Sequence, residues 1–129
     1  ELPFRTPKGH VVMNDQDPMA IWVDGGSASA SEVLAGSLHD NCRAVVMGDV
    51  SFGKGLVQAV YGLKNGAGLV LTVAKYLTPS GTDIQGKGIV PDIKGDVPLS
   101  FLTLSSDTSK VDFQEVSEML NMCKVPSPH

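Results

Sequence analysis

Short apolar runs alternate with polar, glycine-containing segments along most of this chain of 129 residues. Residues 19–23 and 43–47 are apolar runs bounded by turn residues, a pattern that is typical of strands buried in a parallel sheet. Between them, apolar residues recur at helical spacing, which predicts a helix from Ser27 or Ser29 to residues 40–41. The order strand, helix, strand predicts a βαβ unit in which at least part of the sheet is parallel.

A second pattern follows this unit. Residues 48–55 form a glycine-punctuated loop, and residues 56–63 and 69–77 are rich in strand-forming side chains. The connector between these two runs contains Asn65-Gly66, a pair that favours tight turns. The two runs therefore predict a β-hairpin.

The last third of the chain is less regular. Residues 78–96 are rich in glycine and predict a long ordered loop, with a short strand at residues 89–90. Residues 97–104 and 111–122 predict helices, and the second has one apolar face. That face is expected to contain Val111, Phe113, Val116, Met119 and Leu120.

Composition narrows the class of protein. Apolar residues make up 42% and charged residues 19%, which is ordinary for a soluble globular domain or a large piece of one. The net charge of -4, the absence of a basic run and an aromatic content of only 5% exclude a nucleic-acid-binding surface. No apolar stretch approaches the roughly 20 residues that span a bilayer.

The two cysteines, Cys42 and Cys123, lie 81 positions apart and belong to no C-x-x-C motif. Two separate thiols are the expected state, and a disulfide is the alternative that the spacing leaves open.

The segment with most chemical information is residues 25–32, Gly-Gly-Ser-Ala-Ser-Ala-Ser-Glu. Two glycines after a buried strand allow a sharp turn, and small residues leave space at the start of the following helix. A helix N-terminus carries unpaired N–H groups and a partial positive charge, which suits a developing oxyanion. A serine here is a candidate nucleophile if a base reaches it. The alternative is that Ser27 is only a helix N-cap.

The histidines are poor candidates for that base. His39 lies ten residues beyond Ser29 on the same predicted helix, roughly 15 Å away, so it cannot take the serine proton. It is expected to cap the helix C-terminus or to be solvated. His129 lies in a terminal segment, and His10 lies in a turn-rich stretch.

Lys54 is the better candidate base. It stands between Gly53 and Gly55, after the strand next to the one that leads to Ser29. A lysine acts as a base only when its amine is neutral, which desolvation without a carboxylate partner favours. No acidic residue occurs between Val50 and Thr82. A solvated loop lysine is the alternative interpretation.

The same loop partly matches a phosphate-binding motif. Gly48-x4-Gly53-Lys54 fits that motif up to its last position, where Gly55 replaces the required Ser or Thr. The residues that follow are β-rich, whereas a phosphate loop leads into a helix. Nucleotide binding is therefore not expected.

Three segments together resemble the C-terminal processing (tail-specific) peptidases, a family of serine proteases. Residues 27–36 resemble their nucleophile segment, and residues 52–58, Phe-Gly-Lys-Gly-Leu-Val-Gln, resemble their lysine segment. Residues 76–81 and 86–92 resemble the segment downstream of the lysine. The resemblance runs from about residue 21 to residue 93 and is strongest to chloroplast and cyanobacterial members, which process a photosystem II reaction-centre precursor.

The resemblance implies a site and a reaction. Ser29 would be the nucleophile, Lys54 its general base and Gln58 the side chain that holds the lysine amine. The backbone N–H of Ala30 would be one oxyanion donor. The implied activity is endopeptidase cleavage near the C-terminus of protein substrates through an acyl-enzyme, with no metal and no cofactor.

The resemblance also implies an α/β fold, namely the C-terminal portion of a crotonase-like (ClpP/crotonase) catalytic domain with a mixed sheet and packed helices. Residues 1–129 would be a partial catalytic domain, without the PDZ domain and the first catalytic part, and this fragment alone is expected to be inactive. Missing segments could associate peripherally with a membrane. The thylakoid lumen is the expected compartment and the bacterial periplasm the alternative.

Two other function classes stay open from the residues alone. The first is a non-catalytic α/β module, in which Ser29 begins a helix and Lys54 is a solvated charge. The second is a fragment of a crotonase-like acyl-CoA enzyme, which would not need an unpaired Lys54. The distance between Ser29 Oγ and Lys54 Nζ and the burial of Lys54 discriminate among them.

Overall fold

A computed structural model describes residues 9, 13–14, 16–96 and 111–125. Within these residues the chain forms five strands and two helices. In chain order they are β1 (Ala20–Val23), α1 (Ala30–Asp40), β2 (Val45–Gly48), β3 (Leu56–Gly62), β4 (Gly68–Lys75), β5 (Ile93–Lys94) and α2 (Phe113–Met122). The predicted βαβ unit, hairpin and last helix are therefore confirmed, each to within a few residues at its ends.

Three strands form a parallel sheet in the order β1-β2-β5. Ala20 pairs with Val45 and Val23 with Gly48, and α1 is the crossover between the first two strands. Gly48 has a φ of 115°, and a Cβ there would lie 2.0 Å from the carbonyl oxygen of Val23. Only glycine therefore lets the chain leave β2 and turn toward the loop that contains Lys54.

The two faces of this sheet carry separate apolar clusters. Because side chains alternate along a strand, Val46 points to one face and Val45 and Met47 point to the other. The first cluster joins β1, α1 and β2 to the 84–89 loop, through Val23, Ala35, Val46, Ile84 and Ile89. The second joins β2 to α2, through Val45, Met47, Val111 and Val116. The two helices thus cover opposite faces of the sheet.

The last helix differs in one detail from its predicted face. Val116 is buried and Met119 and Leu120 pack against the second cluster, as expected. Phe113 is 41% exposed, so its assignment to the buried face was wrong. It is the first residue of α2, directly after the N-cap Asp112, where a side chain can turn outward to solvent.

Strands β3 and β4 pair antiparallel as a separate hairpin, with a register irregularity between Val57 and Gln58. Every residue of β4 is exposed. A two-stranded ribbon exposed in this way is only marginally stable alone. The hairpin extends directly from the loop that contains Lys54, so it anchors that loop at one end.

The 78–96 segment was partly mispredicted. The structure has no strand at residues 89–90; the short strand is β5 at Ile93–Lys94, which pairs with Met47 and Gly48. The rest of the segment is ordered by turns and by an antiparallel bridge between Leu77 and Asp83. The helix predicted at 97–104 lies outside the described residues.

Cys42 and Cys123 form a disulfide, with their Cα atoms 5.6 Å apart. The expectation of two separate thiols was therefore wrong. Sequence separation says little here, because the packing of α2 on the sheet brings its C-terminal end back to the end of α1. No helix in the described ranges is long and apolar enough to cross a membrane.

Candidate active site

The nucleophile candidate occupies a strained turn between β1 and α1. Ser29 is the N-cap of α1 and has φ 55° and ψ -112°. The N–H of Ser31 donates to the carbonyl of Ala28 at 3.2 Å, so residues 28–31 form a β-turn with Ser29 at its second position. These angles match the second residue of a type II′ turn, which glycine favours. A serine held there costs roughly 1–3 kcal/mol, and such strain concentrates at functional sites.

The turn before it is fixed by Asp24. The backbone N–H of Gly26 and the hydroxyl of Ser27 both donate to Asp24 Oδ1, at 2.9 and 3.1 Å. Ser27 therefore caps this turn and not the helix, so the N-cap reading of Ser27 was wrong. Neither Gly25 nor Gly26 has a positive φ, and a Cβ at Gly25 would meet no atom within 4 Å, so the turn does not require glycine at that position.

A buried carboxylate lies directly behind Ser29. The side chain of Glu32, in the first turn of α1, is fully buried. Its Oε2 accepts hydrogen bonds from the backbone N–H of Ser29 at 2.9 Å and of Lys54 at 2.8 Å. Its Oε1 accepts from the hydroxyl of Ser51 at 2.5 Å and from the N–H of Gly53 at 2.6 Å. One carboxylate therefore joins the serine turn to the lysine loop.

The same four hydrogen bonds determine the charge of Glu32. Burial by itself raises the pKa of this carboxyl, but the bonds from Ser51, Gly53, Lys54 and Ser29 outweigh burial and hold the pKa below its ordinary value. Glu32 is therefore an anion at neutral pH. It lies in the first turn of α1, where the helix dipole favours a negative charge.

The two loops are also joined directly. The N–H of Phe52 donates to the carbonyl of Ser27 at 2.9 Å. Together with this bond, the shared Glu32 carboxylate holds the backbone nitrogens of Ser29 and Lys54 each one hydrogen-bond length from the same acceptor atom. The folded chain thus brings together two sequence-predicted site residues that are 25 positions apart.

The lysine loop rests on the 84–89 segment. Ser51 Oγ accepts from the N–H of Ile89 at 2.7 Å, and Gln85 Oε1 accepts from the N–H of Gly55 at 2.9 Å. The carbonyl of Gly53 accepts from the N–H of Gly86 at 2.9 Å. This segment overlaps residues 86–92, part of the third segment of the family resemblance. Its hydrogen bonds hold the lysine loop in place.

The predicted site residues differ in exposure. Ser29 is partly buried, whereas Lys54 and Gln58 are exposed. In the described part of the chain, no hydrogen bond joins Lys54 Nζ to Gln58. Gln58 lies on β3 at the register irregularity, opposite the extra residue Val73 of β4. The pairing of Lys54 with Gln58 stays a prediction.

The oxyanion donor candidate is at the first residue of α1. The N–H of Ala30 has no acceptor among the residues that the structure describes. This N–H is one of the first N–H groups of a helix, which lack an intrahelical acceptor. Its assignment as an oxyanion donor stays a prediction.

His39 takes a different role from the expected one. Its Nδ1 lies 2.9 Å from Asp40 Oδ1 and its Nε2 lies 3.1 Å from Asp92 Oδ1. It is therefore neither a simple helix cap nor a solvated side chain. The hydrogen bond with Asp92, helped by Asp40 and opposed by burial, raises the pKa of His39 to about 9.

The two carboxylates around His39 bind further backbone groups. Asp92 Oδ2 accepts from the N–H of Val46, and Asp40 Oδ2 accepts from the N–H of Ser80, each at 2.8 Å. The cluster joins the end of α1 to both ends of the 78–92 segment. His10 and His129 lie outside the described residues.

Glu32 is the main residue that sequence reasoning missed. The absence of acidic residues between positions 50 and 82 suggested a lysine loop without a carboxylate, yet Glu32 binds the backbone of that loop. The signal was present: a serine followed three residues later by glutamate is a capping-box pattern. In the described part of the chain, no group of three or more His, Cys, Asp or Glu residues could hold a metal ion.

Comparison with known proteins identifies what the chain is similar to. The family model described as peptidase family S41 matches residues 5–95. The carboxyl-terminal-processing peptidase 1 of Arabidopsis thaliana chloroplasts is 42% identical over 108 residues, covering 84% of this chain and 19% of that protein. The carboxyl-terminal-processing protease of Synechocystis is 44% identical over 103 residues, covering 80% of this chain and 24% of that protein.

A solved structure gives the same picture. The structure of a photosystem II D1 C-terminal processing protease superposes with a TM-score of 0.60 at 39% identity, covering 84% of this chain and 26% of that one. The chain therefore spans about a fifth to a quarter of the length of these relatives.

Proposed function

The chain belongs to peptidase family S41, and from this membership we propose that it carries the nucleophile and the general base of a serine endopeptidase. The enzyme cleaves near the C-terminus of protein substrates. The observation that carries the proposal is the Glu32 carboxylate, which binds the backbone of both Ser29 and Lys54.

In the proposed reaction, Ser29 Oγ attacks the scissile carbonyl carbon while the neutral amine of Lys54 accepts the hydroxyl proton. The oxyanion of the tetrahedral intermediate accepts a hydrogen bond from Ala30 N–H. The lysine ammonium then gives its proton to the leaving amine, and the C-terminal fragment departs. Water hydrolyses the remaining ester on Ser29, again with Lys54 as the base.

The strain at Ser29 supports its role. Ser29 is the N-cap of α1, at the end of the helix where the first N–H groups lack intrahelical acceptors and the helix dipole is positive. The α/β-hydrolases, which are a different class of protein, hold their nucleophilic serine in a comparable strained strand-to-helix turn, the nucleophile elbow. Ser31, two residues further along, is exposed and lies within α1 without a positive φ.

The amine of Lys54, the proposed general base, is not shielded from solvent by the residues that the structure describes. The side chain of Lys54 is exposed, and a neutral amine requires desolvation. We expect another part of a longer protein to cover it, and Gln58 to hold its amine there. The larger catalytic domain would have the crotonase-like architecture, which the parallel sheet with helices on both faces supports. The 129 residues alone would be inactive.

The names of the relatives support the substrate class and the compartment. They are chloroplastic or cyanobacterial, and one solved relative processes the D1 protein of photosystem II. We therefore propose a protein substrate with a removable C-terminal extension, such as the D1 precursor, in the thylakoid lumen or, alternatively, the bacterial periplasm. The Cys42–Cys123 disulfide supports a compartment in which disulfides persist.

Mapping of the acyl-enzyme tests the proposal. The full-length enzyme is mixed with a peptide ester, quenched in acid within the first turnovers, digested and sequenced by mass spectrometry. An acyl group on Ser29 in the wild type, and none in Lys54→Arg, supports it. An acyl group on Ser27 or Ser31, or turnover without any acyl-serine, refutes it.

A further inference from the structure

A covalent link closes the chain at the far end of the site-bearing helix. Cys42 follows the C-cap of α1, and Cys123 is the C-cap of α2. The two residues are the only cysteines of the chain, and their disulfide spans 81 positions. The bond therefore fixes α2 to the end of the helix that begins at Ser29.

The non-covalent contact of α2 with the sheet is small. α2 has ten residues, of which only Val116 is buried. The partly buried Met119 and Leu120 are the other α2 side chains that pack on the second cluster. Isolated helices of this length are marginal in water. Its last residue, Met122, is 74% exposed. Much of what keeps α2 on the sheet is therefore the disulfide.

A reductant can reach this bond. Cys123 is exposed and Cys42 is partly exposed. Cys42 also lines a polar cavity of about 380 Å³, bounded by residues 16–18 on one side and by α2 on the other. Exposed disulfides are the ones that exchange readily with thiols.

We propose that the Cys42–Cys123 disulfide is a redox-controlled clamp, which a dithiol opens to release α2 from the sheet. A thiolate of the dithiol attacks Cys123 Sγ, a mixed disulfide forms, and Cys42 leaves as a thiolate. The second thiol of the dithiol attacks its own sulfur in the mixed disulfide, and Cys123 leaves. Two electrons pass to the chain: the dithiol becomes a disulfide and the two cysteines become thiols.

Release of α2 uncovers the face of the sheet that α1 does not cover. Trp22 of β1, Met47 of β2 and Ile93 of β5 all pack in the cluster that α2 closes. β1 leads directly into the turn that holds Ser29, and β2 leads into the loop that holds Lys54. The clamp thus controls the stability of both strands that carry the candidate site. This inference does not depend on the protease chemistry.

The chain supplies its own reporter, because Trp22 is its one tryptophan. The oxidised chain of 129 residues is treated with dithiothreitol, and alkylation mass confirms two free thiols. We expect Trp22 emission to shift to longer wavelength and amide exchange in α2 to rise about tenfold or more. We also expect the thermal midpoint to fall by about 15 °C, from the loss of a long closed loop.

The matched control is the Cys42→Ser/Cys123→Ser double variant. It should show the reduced values without reductant and should not respond to dithiothreitol; the wild-type measurement stands even if this variant does not fold. Unchanged Trp22 emission and α2 exchange after confirmed reduction would overturn the proposal. Free thiols in the oxidised preparation, or an equal response of the double variant, would overturn it as well.

Discussion

Ser29 and Lys54 donate their backbone N–H groups to one and the same atom, Oε2 of Glu32, at 2.9 and 2.8 Å. The other oxygen of this carboxylate accepts from Ser51 and Gly53. A single buried anion therefore fixes the serine turn and the lysine loop to each other. The geometry of the candidate site depends on Glu32, although its carboxylate binds the backbone of Ser29 and Lys54 and not Ser29 Oγ or Lys54 Nζ.

The first prediction concerns Glu32→Gln. Each carboxylate oxygen accepts from at least one backbone N–H, so an amide NH₂ at either position faces a donor that it cannot pair with. We expect a loss of roughly 3 kcal/mol in the free energy of unfolding and of nearly all peptidase activity. Urea unfolding measures the first effect, and kcat/KM of the full-length enzyme measures the second. Glu115→Gln, on the exposed side of α2, is the control. If Glu32→Gln changed the free energy of unfolding and kcat/KM as little as Glu115→Gln does, the account would be contradicted.

The second prediction uses two glycines of the loop that supports Lys54. Gly88 and Gly86 have φ values of 69° and 73°, so alanine is comparably strained at both. A Cβ at Gly88 would lie 2.4 Å from the carbonyl oxygen of Ser51, whereas none meets an atom within 4 Å at Gly86. We expect Gly86→Ala to cost about 1–2 kcal/mol and Gly88→Ala clearly more. Equal free energies of unfolding of the two variants would show that the close approach of Gly88 to the Ser51 carbonyl does not restrict residue 88 to glycine.

How far the sequence alone reaches is clear from these elements. β1 and β2 were predictable from apolar runs, α1 from helical spacing and the hairpin from strand-forming residues joined by Asn65-Gly66, because each signal lies within the element itself. β5 was not, because a two-residue strand is defined by its pairing with Met47 and Gly48 and leaves no periodic signal. The short strand was therefore expected four residues too early.

The same distinction applies to the site. Ser29 and Lys54 were found through local motifs and a resemblance. The hydrogen bonds of Glu32 were not, because they join residues about 20 positions apart and depend on how two loops meet. The Cys42–Cys123 bond and the His39 cluster were missed for the same reason: their partners come from segments that lie far away in sequence.

The third prediction is a pH dependence of stability. Hydrogen bonding to Asp92, and then to Asp40, raises the pKa of His39 from 6.5 to about 9. Because the folded pKa is the higher one, the stabilisation is complete below about pH 6.5 and is lost as pH rises through 9. With the side chain 38% exposed, we expect a loss of only about 1 kcal/mol across this window.

Chemical unfolding at pH 6.5 and pH 9.5 measures that loss. His39→Gln should show no corresponding change between the two pH values, because the amide does not titrate. The pKa values of Asp40 and Asp92 are lowered, so both carboxylates stay ionised throughout this window. Identical pH profiles of the wild type and His39→Gln would contradict the role given to the cluster.

The fourth prediction concerns Lys54→Arg in the full-length enzyme. A guanidinium stays protonated, so it cannot accept the serine proton. We expect kcat to fall by about 10²–10⁴, with the thermal midpoint unchanged, because Glu32 binds the backbone of residue 54 and not its side chain. Lys87→Arg, in the neighbouring exposed loop, should keep full activity. An active Lys54→Arg enzyme would remove this lysine from the mechanism.

The fifth prediction separates the strain at Ser29 from its chemistry. Glycine adopts a positive φ without cost, whereas alanine keeps the strain of serine. We expect the free energy of unfolding of Ser29→Gly to be about 1 kcal/mol higher than that of Ser29→Ala. Both variants should be inactive. Thermal and urea unfolding compare the two. A Ser29→Gly protein no more stable than Ser29→Ala would show that the turn is not strained.

The central claim is that Ser29 is the nucleophile of a site held together by Glu32, and its most direct test is the activity of Ser29→Ala beside Ser31→Ala. Both serines lie at the start of α1 and both substitutions remove one hydroxyl. In the full-length enzyme, with a protein substrate that has a C-terminal extension, the account predicts no turnover for Ser29→Ala and nearly normal kcat/KM for Ser31→Ala. Retained turnover in Ser29→Ala, or loss in Ser31→Ala alone, would contradict it.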